Sequence, residues 1–195
     1  MDLSDANTNI NLERKSIMNS ICYNVICQTI GLIGSVLMIL SFQCKKPKKL
    51  IIMQSFGGLM FAVNFFMLGA YTGSILNGVN VIRGVAFTKI KKKTLLTPVT
   101  IILIYIIATA LTYNGWLSLF VFIAQSAGTI TFYINTDKAI KLGNLFITSP
   151  LWLIYNIVNG SIGGILCESF AITSIIIYII RTKGFSNVGE SENRP

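Results

Sequence analysis

The chain of 195 residues has no histidine. That removes the usual general base, proton shuttle and transition-metal ligand together. Ser-His and Cys-His nucleophile pairs go with it. Charge is scarce as well, at 12% of residues, where a soluble domain carries about 25%. Two of the few acids, Asp137 and Glu168, fall at different depths of the apolar pattern, so they cannot work as paired carboxylates. No glycine-rich loop ends in GK[ST] before a helix. The four cysteines, Cys22, Cys27, Cys44 and Cys167, form no CxxC pair. They fit neither a zinc site nor a disulfide framework and read as small apolar fillers. The expectation is a protein that is not an enzyme, with no cofactor and no metal. The polar start MDLSDANTNINLERK also lacks the order of a signal peptide.

What the chain does have is apolar length. Hydrophobic residues make up 53% of it. So apolar a chain cannot cover a soluble surface, and lipid is its solvent. The formal charge of +9 is spread in short clusters between apolar runs, as membrane loops require. No soluble domain presents those clusters, so nucleic acid is not an expected partner.

Seven apolar runs follow a polar tail at 1–17, read as mobile. The first runs from about Ile21 to Phe42, the second from Leu50 to Leu68, and the third from Tyr71 to Phe87. The fourth, Thr97 to Thr112, is β-branched and carries no polar stripe, so it reads as a connector facing lipid. The fifth runs from Leu117 to Ile134, the sixth from Leu142 to Val158 with Pro150 inside it, and the seventh from Ser161 to Ile180. The membrane domain therefore spans 18–183, and the polar stretch 184–195 reads as a disordered cytoplasmic tail. Seven crossings put Lys45, Lys46, Lys48 and Lys49, then Lys89 and Lys91 to Lys93, then Lys138 and Lys141 on one side with the C-terminus. That side holds 13 of the 16 basic residues. The bias predicts a cytoplasmic C-terminus and an outside N-terminus.

The stretch FFMLGAYTGSILNGVNVIR, Phe65 to Arg83, joins the second run to the third. A weaker copy, NIVNGSIGGILCE, starts at Asn156. Gly69 falls on Gly160, Gly73 on Gly164 and Asn77 on Glu168, ninety-one residues on in each case. The same offset lays the first run on the fifth and the second on the sixth. The predicted fold is an all-α polytopic membrane protein of seven transmembrane helices. Two parallel three-helix repeats, about 21–88 and 116–181, are joined by a linker helix at about 97–112. Gly69, Gly73, Gly160 and Gly164 are read as helix-packing positions, which would serve a homodimer as well as an internal contact.

Two charges lie inside the runs. A charge in hydrocarbon costs about 2.5–3.5 kcal/mol on insertion scales, so each needs a partner or a wet cavity. Glu168 is the candidate substrate-binding or proton-coupling carboxylate. Asn77, Asn80, Tyr155 and Asn156 are candidate hydrogen-bonding partners of a small polar solute. Arg83 is read as structural or charge-pairing, reaching toward the cytoplasmic surface. Gln28 is either cavity wall or packing.

The segments SFQCKKPKKLIIMQ, FFMLGAYTGSILN with Arg83 after it, and PLWLIYNIVNGSIGGILCES resemble the YgjV family of bacterial inner-membrane proteins. The resemblance covers about residues 20–183 and implies a multi-pass inner-membrane location. The three-plus-one-plus-three plan is similar to the PQ-loop and SWEET transporter group. Phe42-Gln43 stands where that group carries Pro-Gln, and Pro150 alone matches its gating prolines. The leading reading is a small-solute carrier with its site between the repeats and the bilayer as its surroundings. The alternative is a non-transporting receptor, scaffold or assembly factor whose basic loops bind a partner or anionic lipid.

Overall fold

The computed structural model describes residues 3–41, 43, 47–89, 94–134 and 136–192. Phe42, Lys45, Lys46, Lys91 to Lys93 and Arg194 lie outside the described residues, so the basic loops are seen only in part. The described chain is helical. In order come α1 (Leu3–Ser41), α2 (Pro47–Met67), α3 (Tyr71–Lys89), α4 (Leu96–Leu111), α5 (Trp116–Ile134), α6 (Asp137–Gly143), a π-helical turn (Asn144–Thr148), α7 (Ser149–Asn159) and α8 (Ile162–Glu192). Ser16–Ser41, Trp116–Ile134 and Ile162–Arg181 are long and apolar enough to cross a membrane, and Ile52–Met67 and Leu96–Leu111 are shorter apolar helices.

Three expectations change. The polar segments at the two ends are helical where described, since α1 starts at Leu3 and α8 runs to Glu192. A helix already nucleated in the membrane extends at one hydrogen bond per residue, without a new nucleus. The sixth run is not one regular helix. Ser149 N–H bonds Asn144 O, a π step that widens the turn just before Pro150. Proline has no N–H to give and clashes with the preceding turn, so the helix adapts ahead of it. The fourth run, finally, is not a purely lipid-facing connector. Ile101, Tyr105, Ala108 and Thr109 of α4 are buried, a helical stripe that packs on α3 and α5.

The burial pattern is inverted relative to a soluble protein. Ile82, Phe146 and Leu96 are 68%, 70% and 70% exposed. Inside, Ser35, Asn64, Thr72, Asn77, Gln125, Thr129, Asn156 and Ser161 are buried, about as often as apolar residues are. Lipid cannot hydrogen-bond, so polar groups turn inward and pair there.

Helix ends explain how the hairpins turn. α2 stops at Gly69, with φ 74°. Ala70 N–H bonds Phe65 O at 2.9 Å and Gly69 N–H bonds Phe66 O at 3.1 Å. This is the Schellman closure, and its left-handed residue favours glycine. Gly160, φ 68°, ends α7 in the same way, with Ser161 N–H to Asn156 O at 2.9 Å and Gly160 N–H to Ile157 O at 3.2 Å. Every one of those donors and acceptors recurs ninety-one residues on. A β-carbon at either glycine meets nothing within 4 Å. Gly69→Ala and Gly160→Ala should therefore cost about 1–2 kcal/mol each, as pure backbone strain. The Asn variants should cost less. Thermal unfolding in detergent checks this, and unequal losses at the two turns would count against their likeness.

These turns share one end of the bundle. Tyr23 Oη donates to Met67 O at 2.7 Å, Thr72 Oγ1 to Thr112 O at 2.7 Å, and Gln28 Nε2 to Gly160 O at 2.8 Å. Contacts then pass from α1 to α2, α3, α5, α7, α8 and back to α1, with α4 outside against α3 and α5. The α1–α8 contact brings backbone against backbone. Gly163 lies against the Gly31 backbone, and Ser35 Oγ donates to Gly163 O.

Candidate functional site

The interior polar groups lie in layers that begin at the turn end. Asn64 of α2 is fully buried. Its amide donates to Cys27 O at 2.8 Å and accepts from Ser161 Oγ at 2.7 Å. Ser161 Oγ also takes the Gly164 N–H at 3.3 Å. Tyr155 of α7 mirrors this. Its hydroxyl accepts from Gly73 N–H at 3.0 Å and donates to Ala70 O at 3.3 Å. Asn64 and Tyr155 are ninety-one residues apart, as are Ala70 and Ser161. Each hairpin thus reaches the helix start of the other. Gly73 permits the approach, because a β-carbon there would come within 2.6 Å of the Tyr155 ring. Phe65, Trp152 and Tyr155 fill the space between, with centroids 5.4–5.6 Å apart.

Tyr155 therefore has both hydrogen-bonding roles occupied, and it belongs to the closure of this end. Gln28 is settled too. Its amide takes Ile162 N–H at 3.0 Å while giving to Gly160 O, so it clamps the α7–α8 turn. Gly69 and Gly160 are turn formers, whereas Gly73 and Gly164 pack against Tyr155 and Asn156.

Below lie the remaining candidates. Asn77 and Asn156 each donate to the carbonyl four residues back, Gly73 O at 2.9 Å and Trp152 O at 2.8 Å. The Oδ1 atoms of Asn80 and Asn156 are buried and have no partner among the described residues. Glu168, partly buried, faces the Ser149 hydroxyl where the π turn ends. Arg83 is buried at 9% exposure and does not reach for the surface. Its Nη1 donates to Thr129 Oγ1 at 3.1 Å and to Gln125 O at 3.5 Å, and the guanidinium lies 5.0 Å from the Phe132 centroid. Arg83 and Glu168 thus have separate neighbours and no ion pair joins them among the described residues.

Over residues 25–185 the chain matches Imp-YgjV, a bacterial inner membrane protein. The chain belongs to this YgjV family. Its location is the bacterial inner membrane, in keeping with helices apolar enough to cross one. No curated protein and no solved structure matches the chain. The family places the polar interior in a bilayer, where each unpaired group costs more than it would beside water.

Residue patterns alone passed over Tyr105, Thr109 and Ser149. The stripe Ile101, Tyr105, Ala108 holds the signal for the first two, since a tyrosine at helical spacing in an otherwise aliphatic run needs a place for its hydroxyl. Ser149 precedes a mid-run proline, the position at which a helix must adapt.

Proposed function

We propose that this inner-membrane protein is a carrier of a small polar solute, with its site between two parallel three-helix repeats. In this reading α1–α3 and α5–α8 are the repeats and α4 is the linker. Seven segments cross the bilayer, with the N-terminus outside and the C-terminus in the cytoplasm. The chain catalyses no reaction. Recurrence of the turn hydrogen bonds at one fixed offset supports the repeat. The reciprocal reach of Asn64 to Ser161 and Tyr155 to Ala70 supports a two-fold axis along the membrane normal.

The observation that carries the carrier reading is unused hydrogen-bonding capacity. A static bundle pairs its buried polar groups. Here the Asn80 and Asn156 amide oxygens are enclosed without partners among the described residues, and Glu168 adds a carboxylate that faces Ser149. A solute that brings donors would satisfy all three. The turn-end layer of Phe65, Trp152 and Tyr155 then acts as the closed gate.

Uptake by the purified protein in vesicles tests the idea, using labelled sugars, amino acids and organic acids. Glu168→Gln should lower uptake about ten- to a hundredfold, the worth of a hydrogen bond to a charged group. It should also flatten the pH dependence. A mutant with the parent's uptake and pH response removes Glu168 from the site.

A further inference from the structure

Arg83 is a full positive charge enclosed without a negative one beside it among the described residues. All the neighbours described above are neutral, namely the Thr129 hydroxyl, the Gln125 carbonyl and the Phe132 ring. Those two hydrogen bonds leave from Nη1, and among the described residues none engages Nε or Nη2. The Thr129 hydroxyl already donates to Gln125 O at 2.9 Å, so the acceptor that Arg83 uses is shared. An arginine cannot shed its proton. A guanidinium in a low-dielectric interior with no counter-charge is among the costliest groups to bury.

The same corner holds further unused donors. Tyr105 is fully buried and lies beside Arg83, yet its hydroxyl has no partner at hydrogen-bonding geometry. Thr109, one turn further along α4, has an equally unpartnered hydroxyl. On its inner side the guanidinium packs against Gly128. A β-carbon there would lie 3.2 Å from Arg83 Nη1 and 3.9 Å from Thr148 Oγ1. The guanidinium and the Thr148 hydroxyl of the π turn thus both face Gly128.

We infer that Arg83 and Tyr105 form an anion subsite that takes the carboxylate of a small monocarboxylate solute. The planar fork of the guanidinium matches two coplanar oxygens, and Tyr105 supplies a further donor. One negative charge neutralises Arg83, whereas a dianion such as hydrogen phosphate would leave a net charge buried. The word solute rests on the carrier reading. The anion subsite does not.

The test uses the full chain purified in detergent, with sodium chloride exchanged stepwise for sodium acetate at fixed ionic strength. Acetate should raise the parent's melting temperature and the rise should saturate. Arg83→Gln should abolish that dependence. In the chloride baseline it should melt no lower than the parent, because the removed charge had no counter-charge among the described residues. Tyr105→Phe should weaken half-saturation about tenfold, the loss of one charge-assisted hydrogen bond. No acetate response in the parent, or the same response in Arg83→Gln, overturns the subsite. If Arg83→Gln does not fold, Tyr105→Phe decides, and an unchanged half-saturation overturns the inference. Acetate binding without uptake in vesicles would keep the subsite and remove the carrier. Uptake of a neutral sugar, undiminished in Arg83→Gln, together with no acetate response in the parent would keep the carrier and remove the subsite.

Discussion

Gly163→Val should yield little or no folded protein, while Gly78→Val should be tolerated. The contrast rests on what each new side chain would meet. At Gly163 a β-carbon lands on the Gly31 carbonyl and the Leu32 amide, which are backbone atoms of α1. Neither can swing aside as a flexible side chain does. Helices α1 and α8 would have to separate, which would also break the bond from Ser35 Oγ to Gly163 O. Forcing bulk into a packed contact costs about 1–3 kcal/mol where side chains can relax, and more where backbone blocks the way. Gly163 lies in the contact that closes the helix ring between α1 and α8. At Gly78, in contrast, nothing lies within 4 Å. Both variants exchange glycine for valine within a helix, so propensity cancels between them. Folded yield after detergent extraction and melting temperature are the measurements. Equal losses at the two positions would show that the α1–α8 contact does not govern the fold.

That contrast also shows what the sequence could and could not reveal. Gly69 and Gly160 were legible as a matched pair, although the packing role read for both gives way to a turn. A glycine between two apolar runs, with no loop to spare, must take the left-handed turn. Gly163 was passed over in favour of Gly164, its neighbour in the repeat register, because the surface it meets is set by α1, more than a hundred residues earlier. The two charges were found by the rule that a membrane interior holds no idle charge. Their directions were not, since a long side chain can reach outward or inward from the same α-carbon. Arg83 turns inward because Gly128 leaves room and Thr129 and Phe132 receive it. Gln28 illustrates the same limit: its residue type suggested a polar task, but the turn it clamps lies at Gly160 to Ile162.

Asn64→Leu should destabilise the protein by about 2–3 kcal/mol, although leucine nearly matches asparagine in shape. The amide makes three bonds, to Cys27 O, to Cys27 Sγ and from Ser161 Oγ, at a fully buried position. Bonds between membrane helices are worth about 0.6 kcal/mol on average and up to about 1.7 kcal/mol. Orphaning the Ser161 hydroxyl adds a desolvation cost to that. A double-mutant cycle with Ser161→Ala should return about 1 kcal/mol of coupling. The cycle isolates a contact between the two hairpins, so its value also measures how firmly the turn end is held shut. If this layer is the closed gate, Ser161→Ala and Tyr155→Phe should each raise the open population without melting the protein. Cys167, 8% exposed and next to Glu168, can report this. With Cys22, Cys27 and Cys44 replaced by alanine, maleimide labelling of Cys167 well below the melting temperature should quicken about five- to tenfold in either variant, since each 1.4 kcal/mol is a factor of about ten in population. Labelling that stays slow while stability falls would make this layer a static tie between hairpins. On the proposed carrier reading, the gate would then lie elsewhere.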